Sequence, residues 1–193
     1  MVETRKGRPR SESTRQAILR AAADLVSEVG YADLTITGIA TRAGSGKQTI
    51  YRWWTAKSGI VADAVVAGYL RVPVVPLRAT KSLADDLTSW LAATVDVMND
   101  PAAAPLVRAL AAAASDDGQR ATALWAHLTG PLHEALSERL TRGQAEGQLS
   151  DSADPASITD ALIGTVLFRL LARQPTPAPL GGIVSALLGS NAP

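Results

Sequence analysis

The sequence contains no cysteine, only two histidines and few aromatic residues. The absence of cysteine excludes disulfide bonds, thiolate metal sites and a cysteine nucleophile. His127 and His133 have no acidic residue at metal-ligand spacing, so we expect neither a metal site nor a cofactor. Aromatic residues make up 4% of the 193 residues, so the core must consist mainly of Leu, Val, Ile and Ala.

Long apolar runs are also missing. The longest uncharged stretch, residues 174–193, contains four prolines and three glycines and is not suited to a membrane-spanning helix. The first residues, Met1–Lys6, are polar and basic, so we expect no signal peptide. We therefore expect a cytoplasmic protein with no membrane partner.

Alanine is the most informative residue type present. The chain has 35 alanines, 18% of its residues. Alanine is the best helix former and contributes little to sheets, so the composition favours an all-α fold. The length fits one large domain or two small ones.

The net charge of +1 conceals an asymmetry along the chain. Residues 1–60 carry ten Lys or Arg and five acidic residues, giving +5, whereas residues 61–193 carry nine and thirteen, giving −4. A basic module followed by a mildly acidic one is expected where only one module binds a polyanion.

Helical patterns divide the basic part of the chain. Residues 1–13 lack apolar periodicity and are predicted to form a flexible arm, and a helix is predicted from about Thr14 to a left-handed cap at Gly30. Two short helices follow, one capped by Thr35 and one from Lys47 to about Trp54, joined by the glycine-bearing turn 43–46. A fourth helix is predicted from near Lys57, followed by a proline-containing loop at 71–77.

Two short helices joined by a glycine turn are typical of a helix-turn-helix, whose second helix enters the major groove of DNA. In this arrangement Ile39, Ala40 and Ile50 face inward. The exposed side of the second helix then carries side chains suited to base edges and phosphates. They are Ser45, Lys47, Gln48, Thr49, Tyr51 and Arg52.

This segment resembles the N-terminal domain of TetR-family transcriptional regulators over about residues 8–62. The resemblance lies in Gly30-Tyr31, Leu34-Thr35-Ile36, Ile39-Ala40, Arg42-Ala43-Gly44, Lys47, Thr49-Ile50-Tyr51-Arg52-Trp53-Trp54 and Lys57. It implies that Thr35, Thr37 and Lys57 hold backbone phosphates and that Lys47, Gln48, Thr49, Tyr51 and Arg52 face the major groove. Arg8 and Arg10 would enter the minor groove, with a solvated tail as the alternative. Gly46 stands where the family has serine, so that phosphate contact is lost or passes to Ser45.

The chain beyond residue 62 is predicted to be a second helical domain, residues 63–193. Helices over 155–174 and 177–188 are apolar on more than one side, so each must bury a second face. The resemblance implies that this face forms a homodimer interface. Its residues would be Ile158, Leu162, Ile163, Val166, Leu167, Leu170, Ile183 and Leu187.

The resemblance also implies a small-molecule effector bound among the helices of the second domain. Few polar residues are available there, which indicates a mainly apolar or aromatic molecule of unknown identity. The candidate lining residues, for each of which core packing is the alternative, are Trp90, Thr94, Trp125, His127, Leu128 and His133.

The sequence as a whole predicts an all-α protein with a three-helix DNA-binding domain, residues 14–62, and a helical effector-binding and dimerisation domain. Its predicted function is a ligand-responsive regulator, a repressor rather than an activator, that binds a palindromic operator as a homodimer. A ligand-independent architectural DNA-binding protein is the main alternative. An enzyme is not favoured, because no nucleophile-elbow pattern or other catalytic motif is present.

Overall fold

The computed structural model describes residues 8–172 and 180–189, with side chains from Glu12 onward. Every regular element in these residues is a helix, as the composition predicts. In chain order they are α1 (Arg8–Asp33), α2 (Ile36–Arg42), α3 (Lys47–Tyr51), α4 (Lys57–Val66), α5 (Leu83–Asn99), α6 (Ala103–Asp116), α7 (Gly118–Leu124), α8 (Gly130–Ala145), α9 (Pro155–Ala172) and α10 (Leu180–Leu188). A π-helical turn, Trp125–Thr129, lies between α7 and α8.

The chain divides into two compact units whose boundary differs from the predicted one at residue 62. Of the described residues, the first unit comprises 8–72 and 105–124, and the second comprises 73–104, 125–172 and 180–189. The first unit gains α7 and most of α6 because α4 packs against α7. Sequence order could not indicate this, since α4 and α7 are separated by α5 and α6.

Helix α1 begins at Arg8 rather than near Thr14, so residues 8–13 belong to the helix and not to an arm. Proline lacks a backbone N–H, but Pro9 lies in the first turn of α1, where N–H groups have no intrahelical acceptor. Pro9 is therefore compatible with this start. Gly30 interrupts the helix with the predicted positive φ, +77°, a value that residues with a Cβ rarely adopt. Its ψ of 167° is not that of a left-handed cap, and α1 resumes after it and ends at Asp33.

The core of the first unit is formed by α1, α2, α3 and α4. Ile39 on α2 and Ile50 on α3 are fully buried, which confirms their predicted inward orientation. Other fully buried aliphatic side chains lie on α1 and α4 and in the connection before α2, namely Ile18, Leu19, Leu34 and Ile60, and α2 contacts both α1 and α3. This packing fixes the two short helices, which are too short to be stable alone.

The core of the second unit lies between α5, α8, α9 and α10. Its fully buried members include Leu83, Leu87, Leu91, Leu136, Leu140 and Leu162. Gly143 on α8 allows a close approach to α5, since a Cβ at this position would lie 2.6 Å from Leu83 Cδ2. The π-helical turn Trp125–Thr129 comes directly before Gly130 and Pro131, the first residues of α8. Pro131 has no N–H to donate to the previous turn, which accounts for the irregularity.

A buried ion pair crosses this second core. Arg139 Nε on α8 donates to Asp86 Oδ2 on α5 at 2.7 Å, and both side chains are almost completely buried. Thr80 in the loop before α5 donates its N–H to both carboxylate oxygens at 2.9 Å and its hydroxyl to Oδ1 at 2.6 Å. Burial alone would raise the pKa of Asp86, but the hydrogen bonds from Thr80 and Arg139 outweigh it and lower the pKa.

Candidate nucleic-acid interface

The turn between α2 and α3 has the geometry predicted for a helix-turn-helix. Three backbone N–H groups of the turn, those of Ala43, Gly44 and Ser45, donate to carbonyl oxygens of the last turn of α2. Gly44 has φ of +60°, the left-handed conformation for which glycine is favoured. The turn therefore fixes the direction in which α3 leaves α2.

Helix α3 presents polar side chains to solvent on the side away from Ile50. Lys47, Gln48 and Arg52 are exposed, and Tyr51 is 55% exposed. Thr49 and Ser45 are half-buried and lie at the edge of this surface. We refer to residues 45–52, excluding Ile50, as the recognition surface.

Helix α3 ends at Tyr51, earlier than the predicted end near Trp54. The backbone N–H groups of Trp53 and Trp54 both donate to the carbonyl of Ile50, so the chain turns away after Arg52. The Arg52 guanidinium carbon lies 5.4 Å from the centre of the Trp53 ring. A guanidinium over an indole is held in a restricted orientation, which favours directional hydrogen bonding to a base.

Thr35 is the N-cap of α2, as predicted. Its Oγ1 accepts a hydrogen bond from the N–H of Gly38 at 3.0 Å. A threonine hydroxyl that accepts in a cap still carries a proton to donate, so capping is compatible with a phosphate contact. Thr37, in the same first turn, is exposed.

Lys57 is not placed as the predicted phosphate contact requires. Its Nζ donates to the carbonyl oxygens of Tyr31, Ala32 and Leu34 at 3.0, 3.1 and 2.8 Å. These three bonds use all the donors of an ammonium group. The side chain therefore holds the end of α1 against the start of α4 rather than reaching for DNA.

Trp54 is buried, at 3% exposure, and its environment includes a charged group. Its Nε1 donates to Asp63 Oδ2 on α4 at 2.8 Å. The same carboxylate accepts hydrogen bonds from Arg15 of α1 and from Arg120 of α7, each at 3.1 Å. Sequence reasoning missed this cluster; a lone acidic residue within the otherwise apolar run of α4 was the available signal.

The minor-groove prediction concerns Arg8 and Arg10, whose side chains lie outside the described residues. Their backbone positions are within the first turns of α1.

The six candidate effector residues do not line one common site. Trp90 and Thr94 are buried on α5, and Trp90 Nε1 donates to the Val75 carbonyl at 3.2 Å. Trp125 is 46% exposed, His127 is exposed and Leu128 is half-buried. His133 contacts the Trp125 ring edge and lies 3.2 Å from Asp160 Oδ1.

A cleft of about 440 Å³ lies between α5 and the loop that precedes it. Trp90 lines this cleft, and Thr94, Trp125, His127, Leu128 and His133 do not. The remaining lining residues come from the loop and from the first turns of α5, among them Val75, Pro76, Arg78, Asp85 and Ser89.

The predicted dimer residues fall into two groups. Ile158, Leu162 and Leu170 are buried within the unit itself, which removes them from any interface surface. Ile163, Val166 and Leu187 are partly buried against the same core, and Ile183 is half-buried. The exposed apolar side chains of α9 are Leu167, Phe168 and Leu171, which we call the α9 apolar face. Phe168, the single phenylalanine of the chain, is 68% exposed and was not predicted.

Two features of the described residues bear on other functions. They contain no group of three or more His, Cys, Asp or Glu that could hold a metal ion. One described helix, α9, is long and apolar enough to cross a membrane, with a mean hydropathy of 1.4. This is weak evidence for a membrane segment, because the core helix of a soluble protein meets the same criterion.

Comparison with known families gives two matches, one in each part of the chain. Residues 18–64 match the family described as "Bacterial regulatory proteins, tetR family". Residues 77–186, more than half of the chain, match "Tetracyclin repressor-like, C-terminal domain".

Individual relatives agree with these matches. The HTH-type transcriptional regulator YdeS of Bacillus subtilis is 28% identical over 170 residues, which cover 88% of this chain and 84% of YdeS. The crystal structure of the TetR family transcription regulator SCO0332 is similar with a TM-score of 0.62 and 27% identity, covering 94% of this chain and all of that one. AibR shares the fold at 17% identity, with a TM-score of 0.55 and coverage of 91% and 98%. The helix-turn-helix, the all-helical second unit and these matches together show that the chain belongs to the TetR family of transcriptional regulators.

Proposed function

We propose that this protein is a repressor that binds a near-palindromic operator as a homodimer and releases it when a small, mainly apolar molecule binds the second unit. TetR-family regulators are DNA-binding regulators and not enzymes. The observation that carries the proposal is the recognition surface: Lys47, Gln48 and Arg52 point outward from a helix anchored by the buried Ile50. The +5 charge of residues 1–60 adds attraction to the phosphate backbone.

The homodimer is supported by the α9 apolar face. Leu167, Phe168 and Leu171 are exposed large apolar side chains on one helix, and contiguous apolar surface of this kind marks interaction sites. A two-fold dimer places two recognition helices on one face of DNA and thereby accounts for a palindromic operator. Burial in the dimer interface would also explain why α9 has exposed apolar side chains in the single chain. Soluble regulators of this family are generally cytoplasmic, and we propose the same location here.

The expectation of a small-molecule effector is supported mainly by a related protein. AibR is described in complex with isovaleryl coenzyme A and operator DNA. We extend to this chain only the expectation of a small-molecule effector. The cleft of about 440 Å³ beside Trp90 falls in the size range of small-molecule sites. Its apolar wall of Val75, Pro76 and Trp90 agrees with the mainly apolar ligand predicted from the sequence.

Selection from a random DNA library tests the DNA-binding part. The purified protein should enrich a near-palindromic site and should sediment as a dimer at micromolar concentration. The proposal would be contradicted if no specific sequence were enriched. It would also be contradicted if the protein were a monomer and bound the selected site with high affinity in that state.

A library of apolar and aromatic compounds then tests the effector. An effector should raise the melting temperature by binding the folded state and should weaken operator affinity. It should also change the fluorescence of Trp90, and the Trp90→Phe variant isolates that signal. If no compound both stabilises the protein and releases DNA, the ligand-independent DNA-binding protein becomes the better account.

A further inference from the structure

Asp63 receives hydrogen bonds from three separate segments of the first unit. Its Oδ2 accepts from Arg15 Nη2 of α1 at 3.1 Å and from Trp54 Nε1 at 2.8 Å. Its Oδ1 accepts from Arg120 Nε of α7 at 3.1 Å. The Asp63 side chain is 20% exposed and that of Arg120 is 18% exposed, so water competes only in part for these bonds.

The Trp54 indole connects this carboxylate to the recognition surface. Trp54 lies three residues after the end of α3, and its backbone N–H donates to the Ile50 carbonyl at 3.0 Å. Ile50 is fully buried and Trp54 nearly so. The hydrogen bond to Asp63 therefore fixes the segment that terminates the recognition helix.

Arg120 and the Trp54 indole both lie close to the α4 backbone at Gly59. A Cβ on Gly59 of α4 would lie 3.3 Å from Trp54 Cδ1 and 3.5 Å from the Arg120 guanidinium carbon. The glycine thus allows the indole and the guanidinium to pack over the α4 backbone. Asp117 Oδ2, at 3.2 Å from Arg120 Nη1, holds the guanidinium from the α7 side.

We infer that Asp63 is a positioning residue for DNA binding, whose shared carboxylate couples the placement of α7, through Arg120, to Trp54 and the recognition helix. A displacement of α7 moves Arg120 and weakens or redirects the bond at Oδ1. The carboxylate then reorients, and the bond from the indole at Oδ2 changes with it. Because α7 ends at Leu124, where the chain enters the second unit, this carboxylate connects that part of the chain to α3. The inference rests on the proposed DNA contacts of α3 and does not require an effector.

The first test needs no DNA. In the Arg120→Gln variant of the full chain, the NMR resonances of the Trp54 indole N–H and of the α3 backbone amides should shift from their wild-type positions. The matched control is Gln119→Ala, because Gln119 is the exposed neighbour of Arg120 on α7 and its side chain is not among the donors to Asp63. The control should leave the α3 amides in place. Unshifted α3 amides in Arg120→Gln would overturn the inference.

The second test measures operator affinity, with the operator obtained by selection, at a temperature where every variant is fully folded. Arg120→Gln and Asp63→Asn should each weaken specific binding by roughly 2- to 30-fold, the range seen for coupling residues that touch no ligand. The slope of log affinity against log salt should not change, because neither side chain contacts a phosphate. A merely structural role would lower the melting temperature and leave the affinity of the folded protein unchanged, which would refute positioning.

The double variant Asp63→Asn/Arg120→Gln separates coupling from independent damage. If the two residues act through one bond, it should bind no more weakly than Asp63→Asn alone. Additive losses would contradict the shared-carboxylate coupling. Should Asp63→Asn fail to fold, the comparison of Arg120→Gln with Gln119→Ala still decides the question. If the α3 amides shift but no operator can be selected, the proposed function fails and the coupling stands.

Discussion

The ammonium nitrogen of Lys57, the first residue of α4, lies 2.8 Å from the carbonyl oxygen of Leu34, the residue before the α2 cap. With its bonds to Tyr31 and Ala32 it satisfies three carbonyls where α1 ends, and Nζ lies 4.6 Å from the centre of the Tyr31 ring. A cation at carbonyls of a helix end is electrostatically favourable. Lys57 thus joins α1, α2 and α4 at the point from which the helix-turn-helix starts.

Lys57→Met should therefore act on stability and not on the electrostatics of DNA binding. We expect a loss of about 1–2 kcal/mol in the free energy of unfolding, since the carbonyls are partly exposed and rehydrate. The salt dependence of DNA affinity should keep its slope. Chemical denaturation and salt titrations measure the two effects.

Lys47→Met is the matched control for that variant, because Lys47 is an exposed lysine on the recognition surface. It should leave stability unchanged and flatten the salt slope by about one phosphate per subunit. If Lys57→Met flattened the slope by as much as Lys47→Met, Lys57 would be a phosphate ligand after all.

We expect Gln48 and Arg52 to contact base edges and so to determine the sequence specificity of DNA binding. Gln48→Ala and Arg52→Ala should each reduce discrimination at particular operator positions by about 1–3 kcal/mol, the contribution of a good bidentate contact to a base. Competition assays with singly substituted operators measure this. A uniform weakening across all sequences would instead assign these residues to the phosphate backbone.

Glutamate substitutions at Phe168 and Leu170, two residues apart on α9, should affect different properties, dimerisation in the first case and stability in the second. Phe168→Glu places a charge on the α9 apolar face and should give a folded monomer with weak operator binding. Leu170 is only 4% exposed, so Leu170→Glu buries an unpaired charge and should cost several kcal/mol of stability. Sedimentation and circular dichroism distinguish a monomer from an unfolded chain.

Phe168→Leu serves as the control on α9, since it keeps an apolar contact and should remain dimeric. A Phe168→Glu protein that still sediments as a dimer would move the interface away from the α9 apolar face.

Acid should destabilise the second unit through Asp86. Its pKa is lowered in the folded state, so the ionised form adds stability above the unfolded-state pKa of about 4. That stability is lost as the pH falls from about 4 through the lower folded-state pKa. Asp86→Asn should remove this pH dependence and cost about 3–5 kcal/mol, because the buried Arg139 is left with only the more distant carboxylate of Glu146, 3.7 Å away. Thermal melts between pH 2 and 7 test both expectations. If the melting temperature of Asp86→Asn fell at low pH as steeply as that of the wild type, another carboxylate would control the acid sensitivity.

The sequence by itself determined the features that depend on neighbours along the chain. Helical periodicity and alanine content established the all-α class, and the inward positions of Ile39 and Ile50 followed from their spacing around a glycine turn. The Thr35 cap and the positive φ of Gly30 are likewise set within a few residues. Local hydrogen bonding and backbone sterics decide such features, and both can be inferred from neighbouring residues in a single sequence.

Only the tertiary structure decided which partners distant residues meet. Lys57 bonds to carbonyls 23 to 26 residues earlier, and Arg120 meets Asp63 across 57 residues of chain. On α9, apolar residues surround the helix, so no periodicity could tell Leu170, which the core buries, from Phe168, which it leaves exposed. Packing assigns these roles because burial and ion pairing depend on which helices come together, and that is a property of the whole fold rather than of any one segment.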